Sequence, residues 1–189
     1  MAHLPIIAAL DWETTGKCEP DHRIIEAYIG LYRGGTKIWS YEQRIDPQRS
    51  ISADAQRVHG ISAGDLIGMP IWDTVAPMIN QILSRCDFIV AHNGNGFDKP
   101  FGEMEMRRIG LTLTEKPWID TMLDGVWATA DGKKPRLGEL AFACGVDYDP
   151  SKAHSAAYDV DVMAQCYFKG LEWGFFSMPE LPRALAHAA

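Results

Sequence analysis

The segment Ile6–Gly16, IIAALDWETTG, places an almost unbroken apolar run directly before two acids. A short continuous apolar run predicts a strand that is buried on both faces of a sheet. Side chains two residues apart in an extended chain point to the same side, so Asp11 and Glu13 can face one point. Two such carboxylates repel each other unless a cation lies between them. A single pair of this kind is more often structural than catalytic, so it needs support from other segments.

The segments that follow predict one mixed sheet. Ile24–Tyr32 and Lys37–Ile45 have the composition of strands, and the glycines of Arg33–Thr36 between them indicate a hairpin turn. Phe88–Ala91 and Trp118–Ile119 predict two further short strands. Helices are predicted at Ser52–His59, Ser62–Leu66, Trp72–Ser84, from Pro100 to Ile109, and at Thr121–Thr129, Leu137–Cys144 and Ala156–Gly170. An antiparallel start followed by alternating helices and strands is typical of an α/β domain with helices on both faces of its sheet.

Length and charge restrict the classes of function. The chain has 189 residues, which is enough for one domain. Its formal net charge of −7 is unfavourable for broad binding of duplex DNA. No apolar run approaches the ~18 residues of a membrane helix, and the N-terminus does not resemble a signal peptide. We therefore expect a cytoplasmic protein with no membrane partner. The four cysteines form no C-x-x-C pair, which favours reduced thiols over a zinc site.

Two further clusters contain acids. Ala91–Asp98, AHNGNGFD, follows an apolar strand, and its last residue either caps the next helix or joins Asp11 and Glu13. His154–Asp159, HSAAYD, precedes a helical segment; the histidine and the acid converge best if His154 lies on a loop and Ser155 caps the helix. Taken alone, each cluster has an ordinary structural explanation.

Together, the order and spacing of the three clusters resemble the DEDDh branch of the DnaQ-like 3′→5′ exonuclease superfamily. That superfamily includes polymerase III epsilon-type proofreading subunits and the three-prime repair exonucleases. The matching motifs are the D-x-E-T-T-G of Asp11–Gly16, the H-N-G-x-x-F-D of His92–Asp98 and the H-x-A-x-x-D of His154–Asp159. The resemblance covers roughly residues 5–170. It implies a ribonuclease-H-like mixed five-stranded sheet, an exonuclease domain at residues 1–174 and a C-terminal tail at residues 175–189.

The resemblance also implies a chemistry. Asp11, Glu13, Asp98 and Asp159 would bind two Mg²⁺ or Mn²⁺ ions, and His154 would be the general base. Thr14, His59 and Ile61 would contact the terminal nucleotide. The substrate would be a single-stranded nucleic acid with a free 3′ end, and DNA would be preferred to RNA. The product would be a nucleoside 5′-monophosphate.

Several alternatives stay open. The same fold is also compatible with a catalytically silent nucleic-acid-binding or scaffold module. A ribonuclease-H-like endonuclease is a second alternative. A polymerase or a second copy of the chain are possible partners. His92 and Asn93 are expected to organise their loop, and Trp12 to belong to the core. The basic residues Lys133, Lys134 and Arg136 are equally consistent with phosphate contacts and with a solvated loop. Solvent-facing or capping roles are expected for the other acids, Asp120, Asp124, Asp147, Asp149 and Asp161.

Overall fold

The computed structural model describes residues 4–17 and 21–180, which form a five-stranded mixed sheet. The strands are β1 (Ile6–Thr14), β2 (Ile24–Arg33), β3 (Thr36–Arg44), β4 (Phe88–Ala91) and β5 (Trp118–Asp120). Their spatial order is β3-β2-β1-β4-β5. The first three strands pair in antiparallel fashion, whereas β4 is parallel to both β1 and β5. The ends of β1, β4 and β5 therefore meet at one edge of the sheet, where α/β folds commonly place their ligands.

Five α-helices cover the sheet: α1 (Ala53–His59), α2 (Trp72–Ser84), α3 (Asp98–Arg108), α4 (Leu137–Cys144) and α5 (Ala156–Glu172). Two short 3-10 turns lie at Ala63–Leu66 and Val126–Ala128. The helix α2 begins at Trp72, as the sequence predicts, and contains Pro77. Within the described residues, no helix is long and apolar enough to cross a membrane.

The alternation of side chains along β1 divides the core into two layers. Ala8, Leu10 and Trp12 pack in one cluster with α2 and α3, and Ile7 and Ala9 pack in the other with α4 and α5. Asp11 and Glu13 continue the second series, so the alternation directs them towards the α5 side of the sheet. The prediction of a mixed sheet with helices on both faces is confirmed.

One predicted helix and the predicted end of another are wrong. The helix expected at Thr121–Thr129 is a series of turns that ends in the 3-10 turn. Gly125 lies so close to the carbonyl oxygen of Thr121 that a Cβ would be 2.2 Å from it, a turn geometry that a regular helix does not have. The stop expected at Gly170 does not occur, because α5 continues to Glu172. A Cβ on Gly170 would lie 2.3 Å from the ring of Phe176, so this glycine serves close packing.

The proposed domain boundary falls near this contact. Phe176 is buried in the same cluster as α5, although it belongs to the predicted tail. Residues 181–189 lie outside the described residues. The boundary at residue 174 stays a prediction.

Candidate active site

Asp11 and Glu13 lie on the last residues of β1, because this strand continues to Thr14 instead of ending at the first acid. The backbone is extended through both positions, so their side chains leave the same face, as the sequence predicts. Glu13 is buried and Asp11 is partly exposed at the edge of a cavity. The strand therefore presents two carboxylates at the edge of the sheet where β1 and β4 end.

Asp98 is the first residue of α3 and is only 1% exposed. The N-cap position belongs to Phe97. Asp98 is therefore not the capping residue, which was the alternative role that its sequence position allowed. The main-chain N–H of Trp12 donates to Asp98 Oδ1 at 3.2 Å, and the indole N–H of Trp12 donates to the carbonyl oxygen of Asp98 at 3.0 Å. Trp12 is buried in the core as expected, and these bonds join the second acidic motif to the first.

His154 and Asp159 are joined through the backbone. His154 lies on the loop before α5 with a φ of 63°, and its main-chain N–H donates to Asp159 Oδ2 at 2.9 Å. The imidazole is exposed and lines the same cavity as Asp11 and Asp159. Ser155 occupies the N-cap position, but its hydroxyl makes no capping hydrogen bond. The loop position predicted for His154 is therefore confirmed, with the Asp159 carboxylate holding the turn.

Burial, and to a smaller extent the neighbouring acids, disfavours the charged form of the carboxylates in this cluster. Burial raises the pKa of Asp98 to about 8, even though the N–H of Trp12 acts in the opposite direction. Burial, followed by the charge of Glu26, raises the pKa of Glu13 to about 8. Burial and the neighbouring acids Asp98, Glu13 and Asp159 also raise the pKa of Asp11 well above its usual value. Without a counter-charge, this cluster retains protons near neutral pH.

The donor chemistry of the cluster fits a divalent cation. Asp159 Oδ1 is buried and makes no hydrogen bond, and an orphaned buried carboxylate oxygen is costly unless a cation or a proton compensates for it. Hard oxygen ligands of this kind suit Mg²⁺ and Mn²⁺. Across residues 4–17 and 21–180, however, no group of three or more acidic, histidine or cysteine side chains is arranged to hold a metal ion. Binding would therefore have to draw the carboxylates closer together.

A fifth carboxylate adjoins the cluster and was not predicted as part of it. Glu26 on β2 lies directly opposite Glu13 in the antiparallel register, and both are buried. The Arg44 Nε lies 3.1 Å from Glu26 Oε1 and partly offsets the added negative charge. The connection from β1 to β2 is not a tight hairpin, so its register could not be counted from the sequence.

Comparison with known proteins identifies the group to which this fold and site belong. A family model described as an exonuclease, of the RNase T type, matches residues 8–167. The chain belongs to this exonuclease family. The chain is 32% identical over 167 residues to DNA polymerase III subunit epsilon of Rickettsia felis. This match covers 84% of this chain and 70% of the relative. The DnaQ-like resemblance predicted from the motifs is confirmed.

Solved structures agree on the fold. The exonuclease is similar to E. coli exonuclease I in complex with a dT13 oligonucleotide, with a TM-score of 0.76 and 16% identity over 88% of this chain and 41% of that chain. It is also similar to exonuclease X in complex with 5′ overhanging duplex DNA, with a TM-score of 0.71 and 20% identity over 90% of this chain and 94% of that chain. The predicted ribonuclease-H-like architecture is thereby confirmed.

The three residues expected to contact a nucleotide lie together beside Glu13. His59 Nδ1 accepts from the N–H of Ile61 at 3.0 Å, and His59 Nε2 lies 3.2 Å from the carbonyl oxygen of Thr14. The carbonyl can only accept, so the imidazole is the neutral form protonated on Nε2, and burial lowers its pKa accordingly. Thr14 and Ile61 are buried in the exonuclease, and the Thr14 hydroxyl donates to the carbonyl oxygen of Gly16. Contact of these residues with a nucleotide stays a prediction.

Asp120 has a larger role than the sequence indicated. This acid ends β5, is 2% exposed, and accepts four main-chain N–H groups. Oδ1 accepts from Asn93, Met122 and Leu123 at 3.0, 3.0 and 3.2 Å, and Oδ2 accepts from Asn95 at 2.9 Å. The expected capping role is therefore correct for the following turn, but a solvent-facing position is wrong. Asp120 fixes the glycine-rich loop that leads to Asp98.

Other side chains support that loop and the edge of the site. His92 bonds to the Thr121 hydroxyl at 3.0 Å and to the Pro135 carbonyl oxygen at 3.1 Å, which agrees with its expected organising role. Asn93 has a φ of 68°, a conformation that Asn tolerates better than most residues. Asp161 is not simply solvated, because it accepts from the Lys37 ammonium and the Tyr32 hydroxyl, each at 2.8 Å.

Replacing Asp120 should destabilise the glycine-rich loop. Asp120→Ala leaves four N–H groups without their acceptor, and hydrogen bonds to a charged group are worth about 1.5–3 kcal/mol each, so we expect a loss of at least about 3 kcal/mol. Asp120→Asn should cost less, because its oxygen can still accept three of the four bonds. Urea unfolding would measure both variants, with the exposed Asp124→Asn as the matched control. Equal stability of Asp120→Ala and the wild type would contradict this role.

Proposed function

We propose that the protein is a divalent-metal-dependent 3′→5′ exonuclease that releases nucleoside 5′-monophosphates from single-stranded DNA. The observation that carries the proposal is the cluster of Asp11, Glu13, Asp98 and Asp159 at one sheet edge, where Asp159 Oδ1 is buried without a partner. Membership of the exonuclease family supports hydrolysis, and the epsilon-type relative supports DNA over RNA. The name of that relative also supports a polymerase as a partner, whereas a homodimer stays a prediction.

The four carboxylates are the proposed ligands of two Mg²⁺ or Mn²⁺ ions. When bound, such ions would supply positive charge that favours loss of a proton from the water and stabilises the negative charge that develops on the leaving 3′ oxygen. Asp11 and Glu13 are held by the strand, Asp98 by its bonds to Trp12, and Asp159 by the N–H of His154. Each carboxylate is therefore positioned by a different part of the fold.

His154 is the proposed general base. Its backbone is anchored to Asp159, while its exposed imidazole faces the cavity that Asp11 also lines. The imidazole takes a proton from water as the water oxygen bonds to phosphorus and the bond to the 3′ oxygen breaks. The 3′ oxygen leaves on the remaining strand and gains a proton. Phosphate therefore stays on the 5′ side of the released nucleotide.

Digestion of single-stranded DNA in Mg²⁺ or Mn²⁺ would test this proposal. A 5′-labelled linear strand should shorten stepwise with release of nucleoside 5′-monophosphates, while a closed circle of the same sequence should remain intact. An RNA strand of matched sequence should be degraded more slowly. Rapid cutting of the circle would identify an endonuclease. Binding of the linear strand without cleavage in either metal would identify a catalytically silent module.

A further inference from the structure

Two cavities meet over the first turn of α4. The catalytic cavity has a volume of about 730 Å³ and is lined by Asp11, His154 and Asp159, and its wall extends to Gly138 and Glu139. A second cavity of about 570 Å³ is lined by the same Gly138 and Glu139, and continues over Ala128, Thr129 and Lys133 to Phe142. The two cavities therefore adjoin at these two residues.

Gly138 packs closely against Tyr148 at the point where the two cavities share their lining. A Cβ at this position would be 2.8 Å from Tyr148 Cε1, so no larger residue fits without moving that ring. Tyr148 itself lines the catalytic cavity. The first turn of α4 and the tyrosine thus form one continuous surface between the carboxylates and Phe142.

Phe142 is the most exposed large hydrophobic side chain among the described residues, at 88%. Positions 138, 139 and 142 lie three and four residues apart on α4, so they share one face of the helix. An aromatic ring exposed to this extent gains nothing from the core, whereas a flat exposed ring is a platform on which a nucleobase can stack. The position of Phe142 in the lining of the second cavity fits such a platform.

Basic side chains precede α4, beside the two cavities, and could contact a phosphate backbone. Lys133, Lys134 and Arg136 are exposed and immediately precede α4, in a chain whose formal net charge is −7. Two acids, Asp131 and Glu139, also line the cavity, and the Lys133 Nζ lies 3.0 Å from Glu139 Oε1. Exposed ion pairs contribute little stability, about 0–1 kcal/mol, so Lys133 can exchange this carboxylate for a phosphate. Lys133 lines the second cavity and Arg136 lines the catalytic cavity, so each cavity offers one cation to a phosphate.

We propose, resting on the proposed exonuclease function, that the substrate strand upstream of the scissile bond leaves the catalytic cavity across the first turn of α4. Its phosphates lie against Lys133, Lys134 and Arg136, and one of its bases stacks on Phe142. An apolar protein segment is the competing occupant of this surface. The continuity with the catalytic cavity and the adjacent cations favour the strand.

Binding of fluorescent oligothymidylate of increasing length, measured by anisotropy with EDTA present, would test the proposal without requiring catalysis. Phe142→Ala should weaken binding of long oligonucleotides by about 5- to 140-fold, the loss expected for one stacked base. Phe142→Trp should restore it, and Phe142→Leu should not, because leucine offers no ring face. Met78→Ala is the matched control, since Met78 is exposed on α2, which packs on the other face of the sheet.

A small substrate separates this proposal from the proposed function. The p-nitrophenyl ester of thymidine 5′-monophosphate has no upstream strand, so the wild type and Phe142→Ala should hydrolyse it at equal rates. Unchanged binding of long strands by Phe142→Ala, full rescue by leucine, or an equal loss on the small ester would each overturn the strand path. Failure of the wild type to hydrolyse any substrate would instead overturn the proposed function, and the anisotropy comparison would still decide whether the surface binds the strand.

Discussion

Asp98→Asn should reduce phosphodiester hydrolysis by more than about 10³-fold, the upper range for losing one electrostatic contact at a reacting group, while leaving the fold intact. Asp98 is buried and its pKa is raised to about 8, so in the metal-free protein it is mostly neutral near pH 7, as asparagine is. The asparagine oxygen can still accept the N–H of Trp12. The variant therefore removes the negative charge that a cation requires and keeps the local structure.

The same variant should weaken the pH dependence of stability of the metal-free protein. Because the folded-state pKa values of Asp98 and Glu13, both about 8, lie above the ordinary 3.8 and 4.5, the folded state binds protons more tightly than the unfolded state. This contribution is fully present below about pH 4 and is lost as the pH rises through about 8. The wild type should therefore melt at a lower temperature in mildly alkaline than in mildly acidic buffer with EDTA, and Asp98→Asn should show a smaller decrease.

Thermal unfolding by circular dichroism and single-turnover hydrolysis would measure these effects together. Added Mg²⁺ or Mn²⁺ should raise the melting temperature of the wild type in alkaline buffer and have little effect on Asp98→Asn. Asp73→Asn, an exposed acid on α2, is the matched control and should behave as wild type in both assays. A rate for Asp98→Asn near that of the wild type would show that the proposed metal site is wrong.

Removing the imidazole of His154 should slow hydrolysis by about 10²–10⁴-fold, the usual contribution of a general base, without a comparable loss of metal affinity. The choice of replacement matters because His154 has a φ of 63°. Alanine at such a position costs about 1–2 kcal/mol of strain, whereas asparagine and glycine tolerate it. His154→Asn and His154→Gly therefore keep the main-chain bond to Asp159 and test the imidazole alone.

Asp159→Asn is the informative comparison for His154. It removes a proposed ligand charge, so it should weaken metal binding in calorimetric titration, which His154→Asn should not. Ser155→Ala is a neighbouring control, because its hydroxyl makes no capping hydrogen bond. If His154→Asn loses metal affinity as severely as Asp159→Asn, His154 acts as a ligand or a structural residue. A full hydrolysis rate in His154→Asn would assign the proton transfer to another group.

The strands and the residues of the motifs could be predicted because each depends on local sequence. The apolar run before Asp11, the glycine-rich turn between β2 and β3, and the spacing of His154 and Asp159 each carry a short-range signal. The false helix after Asp120 shows where such signals fail. Its residues have helical propensity, but Asp120 binds the N–H groups of Met122 and Leu123 and of a distant loop at the same time.

The parts of the site that the sequence did not reveal depend on register and burial. Glu26 reaches Glu13 only through the pairing of β1 with β2, and no tight turn defines that pairing. Asp120 could have been suspected because it ends a short strand at the same end of the sheet as Asp11. The sequence gives no sign of the positive φ of His154, because histidine does not indicate a positive φ as glycine does.

The location of Asp159 on α5 has a consequence for biosynthesis. The ribosome makes this carboxylate last, after Asp11, Glu13 and Asp98, and α5 must pack on β1 and β2 before the set is complete. Domains generally fold as units during synthesis. A nascent chain that has not yet released α5 therefore lacks the complete cluster of four carboxylates that are proposed as metal ligands.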